Sequence, residues 1–116
     1  MTNVLVTDKE RACLLDHGQA RVDSQAIDPL PVVRLFTPDA HATWLLVWLD
    51  PADGDTAYGL IDLGLGMPEL GYVKLSDLAS IVGPLKQPVM RDVYFQATRT
   101  LSDYVRLAQA NGSIVD

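Results

Sequence analysis

The sequence predicts an α+β fold in which an antiparallel β-meander carries short N-terminal, middle and C-terminal helices. Three apolar, β-rich segments occupy residues 32–37, 43–49 and 57–63, and turn-forming residues separate them. Helix-capping signals precede apolar residues near both ends of the chain. Because strands joined by short turns pair antiparallel, the middle of the chain should form one sheet.

The first helix is predicted from a capping box. In Thr7-Asp8-Lys9-Glu10, the threonine hydroxyl and the glutamate carboxylate are spaced so that each satisfies a backbone N–H. A helix should begin there, with Leu14 and Leu15 on its apolar face. Gly18 is suited to end it in a left-handed conformation. The polar residues 19–31 are then expected to form a loop that leads into the first strand.

Two further helices are predicted in the second half of the chain. A short one should begin at Ser76 or Asp77 and end at Val82, where a Gly-Pro pair follows. The last should begin within residues 100–103 and end at Asn111-Gly112. Its apolar stripe consists of Leu101, Tyr104, Val105 and Ala108.

The second β-rich segment is apolar on both of its faces. Strict alternation places Trp44, Leu46 and Trp48 on one side and Leu45, Val47 and Leu49 on the other. A strand of this kind belongs in the middle of a sheet that is covered on both sides, or that is covered on one side by a partner. Shorter extended pieces are predicted at residues 72–74 and 90–95.

The composition predicts one domain that spans residues 1–116. With 48% hydrophobic residues, the chain has enough apolar surface to offset its conformational entropy. The single cysteine, Cys13, cannot form an internal disulfide, and the N-terminal residues show no secretory pattern, so we expect a cytoplasmic protein. The longest apolar run, residues 44–49, is far shorter than the ~20 residues of a membrane-spanning helix, so no membrane segment is expected.

The charge of the chain bears on its partners. A net charge of −6 and a pI near 4.6 produce a field that repels a polyanion, which argues against direct binding of nucleic acid. The expected partner is another protein. Three aspartates, Asp50, Asp53 and Asp55, follow the second strand; they are typical of a solvated turn, although they could also meet a basic partner.

The glycine-rich segment from Leu63 to Gly71 is the best place for a catalytic site. Its spacing does not fit a phosphate-binding loop, because no third glycine and no lysine follow at the required positions. Asp62 and Glu69 flank the segment and could share acid and base roles or hold a divalent metal, with Tyr72 beside them. The favoured alternative is structural: Asp62 pairs with Arg34 or caps the loop by accepting backbone N–H bonds.

The remaining chemically active side chains lack companions at catalytic or ligand spacing. His17 and His41 are expected to be solvated rather than metal ligands, and Cys13 is not expected to be a nucleophile. No hydrolase, protease or zinc motif occurs in the sequence. We therefore predict no metal and no cofactor.

Several aromatic residues are candidates for a protein interface. Trp44, Trp48 and Tyr58 belong to the predicted sheet, and large rings of this kind anchor protein contacts. The favoured alternative is that they belong to the core. The choice depends on whether so small a domain can cover both faces of the strand that carries the tryptophans.

Two motifs resemble an uncharacterised bacterial family. They are Leu35-Phe36-Thr37-Pro38-Asp39-Ala40 with Ala42-Thr43-Trp44-Leu45-Leu46, and the segment from Asp62 to Val73. The family is domain of unknown function 2958, and the resemblance covers nearly the whole chain. It implies a short protein encoded on plasmids and integrative conjugative elements, with an accessory or regulatory role. It carries no catalytic residues over to this chain.

The leading hypothesis is therefore a non-enzymatic protein that acts by protein–protein interaction. One version is a counter-defence role, in which carboxylates imitate DNA phosphates in a basic groove of a host protein. The rival hypothesis is an enzyme or small-ligand-binding domain with its site between Asp62 and Tyr72. A concave polar pocket would favour the rival, and a flat or convex apolar surface would favour the interaction protein.

Overall fold

The computed structural model of the protein describes residues 5–23, 28–38, 41–81 and 88–115. In chain order the elements are α1 (Asp8–Val22), β1 (Val33–Phe36), β2 (Thr43–Leu49), β3 (Thr56–Asp62), β4 (Glu69–Lys74), α2 (Leu75–Ser80), β5 (Met90–Arg91) and α3 (Leu101–Asn111). The predicted α+β class is confirmed, with N-terminal, middle and C-terminal helices. No helix among these residues has the length and apolar character needed to cross a membrane.

Within the described residues the sheet has five strands in the order β4-β3-β2-β1-β5, and every neighbouring pair is antiparallel. Strands β1 to β4 follow one another as the predicted meander, and the two-residue β5 closes the edge beside β1. The doubly apolar β2 is the central strand, as predicted. β4 forms the other edge.

The two faces of the sheet belong to separate core layers. On the face that we call the α1 face, buried side chains of α1 and α2 pack on the sheet; the layer includes Leu14, Val33, Leu35, Trp44, Leu46, Leu49, Ala57, Leu75 and Leu78. On the opposite α3 face, the buried residues are Leu45, Val47, Leu60, Leu101, Tyr104 and Ala108. Each buried leucine contributes about 2 kcal/mol through removal of its side chain from water.

The predicted alternation of β2 is wrong at its C-terminal end. The pairing of β2 with β3 shifts between Leu46 and Trp48, which is a β-bulge. An extra residue in one strand reverses the side on which the following side chains lie. Trp48 therefore packs with Val47 against the α3 layer, and Leu49 joins the α1 layer.

The capping box of α1 is confirmed, but the predicted end of the helix is wrong. Thr7 and Glu10 exchange hydrogen bonds of 2.8 and 3.1 Å. The helix does not end at Gly18 and continues to Val22. Gly18 is buried against β2, where a Cβ would lie 1.8 Å from the carbonyl oxygen of Leu49. Glycine is present because the helix and strand backbones touch there.

Other predicted boundaries differ at the sheet edges. The extended piece expected at residues 72–74 is the end of a longer strand that begins at Glu69. The strand expected at 90–95 stops at Arg91, because only Met90 and Arg91 find partners on the short β1. The last helix ends as predicted at Gly112, which has φ +76°. The Gly83-Pro84 pair and the turn residues 39–40 lie outside the described residues.

The N-terminus of α3 is capped from a distant segment. Its N-cap residue Thr100 makes no side-chain capping bond. Instead the carboxylate of Asp28 accepts hydrogen bonds from the backbone N–H and the hydroxyl of Ser102. These bonds lower the pKa of Asp28 from its ordinary value, the hydroxyl bond having the larger effect. The contact ties the residues before β1 to the last helix.

This carboxylate gives a testable pH dependence. Because the folded pKa of Asp28 is depressed, its contribution to stability should be present above the unfolded pKa of 3.8 and be lost as the pH falls through the lower folded value. The difference in Tm between the wild type and Asp28→Ala should be constant near neutral pH and shrink under acid. Circular dichroism melts across this range measure it. A difference that is independent of pH would contradict the assignment.

Candidate functional site

The glycine loop, residues 63–68, joins β3 to the edge strand β4. Gly64 and Gly66 have φ of +78° and +80°, a region that favours glycine. Gly64 also has no room for a side chain, since a Cβ would lie 2.8 Å from the carbonyl oxygen of His41. Both glycines are thus explained by the path of the backbone.

Asp62 fixes the base of this loop. Its side chain is buried, and one carboxylate oxygen accepts the N–H of Gly64 at 2.9 Å while the other accepts the N–H of Ile114 at 3.0 Å. Two structural roles were predicted for Asp62, pairing with Arg34 or capping of the loop, and the structure shows the second. Arg34 pairs instead with Asp92 at 3.0 Å. Asp62 therefore joins the glycine loop to the segment after α3.

The three catalytic candidates do not converge. Glu69 pairs with Ile61 of β3, so the side chains of these two residues lie on the same face of the sheet. Asp62 follows Ile61 in β3, and its side chain therefore lies on the opposite face from that of Glu69. Tyr72 pairs with Tyr58, four positions along β3 from Asp62, which is roughly 13 Å at about 3.3 Å per residue. Asp62, Glu69 and Tyr72 therefore do not form an acid–base pair.

His17 is not simply solvated. It is half-buried, and its Nδ1 lies 2.8 Å from the carbonyl oxygen of Val47. A carbonyl only accepts, so Nδ1 carries the proton and the ring is held in one orientation. Its Nε2 lies 3.9 Å from the Cys13 sulfur. His41 is exposed, and no group of three or more potential metal ligands occurs among the described residues.

The interface candidates divide between the core and the surface. Trp44 is only 4% exposed and belongs to the α1 layer, so it is a core residue and is not available for contact with a partner. Trp48 stacks on Tyr58 with ring centroids 4.2 Å apart, and Tyr72 lies 4.8 Å beyond Tyr58. The guanidinium of Arg21 lies 5.6 Å above the Trp48 ring. These rings form a row that leads from the α3 layer to the edge of the sheet.

The middle ring of the row, Tyr58, has a neutral hydroxyl. Burial raises the pKa of Tyr58, and the neighbouring Tyr72 raises it further, while Arg21 lowers it. Tyr58 is thus protonated at neutral pH. It contributes ring surface and not charge.

Five exposed large apolar residues lie on β4 and the loop before it. We call this set the β4 apolar surface; its members are Leu63, Leu65, Met67, Leu70 and Tyr72, which are between 42% and 76% exposed. Of this set, only Tyr72 was predicted to belong to a site. The available signal was the alternation of leucine and methionine with glycine in the loop, which places large apolar side chains where polar ones are usual.

The acidic residues after β2 are occupied by local contacts. Asp53 accepts the N–H groups of Asp55 and Thr56 and the Thr56 hydroxyl, and these bonds lower its pKa to about 2. Asp55 accepts the N–H and hydroxyl of Ser76 at the start of α2. Asp50 accepts the N–H of Ala52. These carboxylates shape a turn and begin a helix.

Comparison with known proteins identifies a family for this chain. Neither the curated proteins nor the solved structures include a match to this chain. The sequence model of the family described as Protein of unknown function (DUF2958) matches residues 5–115, which is nearly the whole chain. The resemblance noted from the two motifs is thereby confirmed, and the chain belongs to the family of proteins of unknown function DUF2958.

Proposed function

We propose that this chain is a non-enzymatic interaction protein that binds another protein through the β4 apolar surface. One observation carries the proposal: large apolar side chains lie together on an edge strand and its preceding loop. Each of these residues is between 42% and 76% exposed, whereas large apolar side chains in a loop and on an edge strand are usually covered or replaced by polar ones. Surfaces of this kind commonly mark protein contacts, since exposure to water is unfavourable for them.

The rival enzyme has weaker support. A polar depression of about 410 Å³ adjoins Asp62 and is lined by His41, Thr43, Gly64, Gly66, Gly112 and Ser113. Asp62 would be the acid or base there. Each of its oxygens accepts a backbone N–H bond, which supports a structural role for this carboxylate.

The setting that we propose is an accessory role in the cytoplasm of a bacterium that carries a mobile element, as the family resemblance implied. Imitation of DNA is the less favoured version of this role. It requires carboxylates free to meet a basic groove, whereas Asp50, Asp53 and Asp55 accept hydrogen bonds from their own turn. The apolar contact is the favoured version.

The test is capture of partners from a bacterial lysate, with and without nuclease, by the wild type and by Leu65→Lys/Met67→Lys. Both side chains are exposed, so the variant should keep its stability within about 0.5 kcal/mol. A protein that the wild type retains at near-equal amounts after nuclease treatment should be lost from the variant. Charges in the centre of an apolar contact are costly because they lose water without gaining a partner.

The matched control is Val93→Lys/Tyr94→Lys. These residues are also exposed apolar side chains but lie after β5 at the opposite edge of the sheet. The control should retain the partner. If neither the wild type nor the control retains any protein, or if all three retain the same one equally, the β4 apolar surface is not the binding site.

A further inference from the structure

At the outer edge of β4, the backbone N–H and C=O groups of alternate residues are unpaired. The pairing of β4 with β3 determines which residues these are. The N–H of Leu75 bonds the carbonyl of Asp55 at 2.9 Å, in the same register as the β3–β4 pairs. Backbone groups of alternate residues point to opposite sides of a strand. Val73, Gly71 and Glu69 therefore bond to β3, and the N–H and C=O groups of Leu70, Tyr72 and Lys74 point outward. Among the described residues, no other strand pairs with this edge.

A recess lies beside this edge on the α1 face. Gly71 pairs with Gly59, and the two glycines leave the sheet without side chains there. Gly59 is required because a Cβ would lie 1.9 Å from the carbonyl oxygen of Leu45. Gly71 has no such requirement: its φ is not positive, and a Cβ would meet only the terminal carbon of Ile61, at 3.3 Å.

The recess is large enough for an aliphatic or aromatic side chain. It measures about 310 Å³ and is lined by Ile61, Leu63, Leu65, Met67, Glu69, Leu70 and Gly71. For comparison, an apolar cavity of about 150 Å³ accommodates benzene. A side chain at position 71 would fill it. The absence of one there is explained if a side chain from another molecule enters.

We propose that β4 accepts an extended segment of the partner protein as a sixth strand, with one large aliphatic side chain seated over Gly71 against Ile61. This inference rests on the proposed function and specifies how the partner is bound. The N–H and C=O groups of Gly71 point toward β3. Gly71 and the incoming residue opposite it therefore form a non-hydrogen-bonded pair, in which the two Cα atoms lie close together. The incoming residues on either side bond to Leu70 and Tyr72 and meet their side chains on the α3 face.

Charge gives the segment a second feature. Glu69 is exposed at the rim of the recess and shares the α1 face with Gly71. The incoming residue opposite Glu69 lies two positions from the one that fills the recess and points to the same side. A lysine or arginine there complements Glu69 and the net charge of −6. The segment is therefore a basic residue and a large aliphatic residue separated by one position.

A second copy of the chain fits this edge less well. In a continuous antiparallel sheet, residues on the same face meet, so the copy would place Glu69, Gly71 or Val73 opposite Gly71. None of these is a large aliphatic residue. In the same three registers the residue opposite Glu69 would be Gly71, Val73 or Leu75, and none of these is basic. The partner segment is thus the occupant that the recess and its charge favour.

The test uses a phage-displayed library of random twelve-residue peptides selected on the wild-type protein. Enriched peptides should share the basic and aliphatic residues at alternate positions. Gly71→Val should fill the recess and weaken their binding at least about tenfold. The same substitution should leave the fold intact, since valine suits strands and only the flexible end of Ile61 is near.

A second pair of variants isolates the backbone contact. Tyr72→Pro removes an outward N–H without removing a bond to β3, whereas Tyr72→Val removes the ring and keeps the N–H. Binding should fall further in the proline variant than in the valine variant. Enrichment of no peptide, or of peptides that bind Gly71→Val and Tyr72→Pro as well as the wild type, would overturn the proposal. So would self-association that Gly71→Val abolishes, which would make a second copy the occupant.

The lysate experiment distinguishes failure of strand addition from failure of the proposed function. If Leu65→Lys/Met67→Lys loses the partner but Gly71→Val and Tyr72→Pro retain it, the β4 apolar surface binds a protein and strand addition is wrong. If Gly71→Val and Tyr72→Pro lose the partner as well, both stand. If no partner depends on any of these residues, the proposed function fails, whatever the peptides show.

Discussion

Replacing Gly18 by alanine should destabilise the fold by about 3 kcal/mol or more. The new Cβ would lie 1.8 Å from the carbonyl oxygen of Leu49 and 3.2 Å from the ring of Pro51. Both atoms belong to the backbone or to a rigid ring, so the helix must move away from β2. That movement opens the α1 layer around Leu14.

Urea unfolding followed by tryptophan fluorescence measures this effect, since Trp44 is buried in the same layer. Gly71→Ala is the matched control, because its Cβ meets only the end of the Ile61 side chain and its strand backbone suits alanine. We expect the control to be as stable as the wild type or more so. Equal midpoints for Gly18→Ala and the wild type would show that α1 does not contact β2 in this way.

Replacing Asp62 by asparagine should cost about 2 to 3 kcal/mol, because hydrogen bonds to a charged acceptor are among the stronger ones in proteins. The carboxylate accepts from Gly64 and Ile114 through different oxygens. An asparagine side chain has one accepting oxygen, so its amide nitrogen would face one of the two N–H donors. The glycine loop and the segment after α3 should both loosen.

Thermal unfolding and amide hydrogen exchange at Gly64 and Ile114 test this expectation. Glu69→Gln is the control, since Glu69 is exposed and its replacement should change stability by less than about 0.5 kcal/mol. Asp62→Asn with unchanged stability but loss of a partner-independent activity would favour the enzyme. Loss of stability alone supports the loop-capping role.

Local signals in the sequence predicted much of the fold. The Thr7–Glu10 capping box marks the start of α1, and Gly112 marks the end of α3, because both depend on contacts within a few residues. The doubly apolar run of β2 predicted a central strand for a related reason: only a strand covered on both sides can bury both of its faces.

The errors occur where distant segments touch. Gly18 has the local character of a helix end, and only the approach of Leu49 explains it inside a helix. The bulge in β2 follows from the fit of β2 to β3, so strict alternation misplaced Trp48 and Leu49. His17 was expected to be solvated because the carbonyl of Val47 lies 30 residues away in the sequence.

For the candidate site too, the residues could be found from the sequence but their relative positions could not. Asp62, Glu69 and Tyr72 are close in sequence, yet strand alternation and pairing place them apart. The loop leucines and Met67 were visible as a pattern, but whether they are covered or exposed depends on what packs over β4.

By itself, the sequence determined the class of this protein, its meander, the start of α1, the end of α3 and its family, because these are encoded in short-range patterns of apolar, turn-forming and capping residues. Only the tertiary structure decided which side chains remain exposed, which glycines separate touching backbones, and that Asp62 is a loop cap. Those properties depend on contacts between residues far apart in the chain, whose geometry no local pattern specifies.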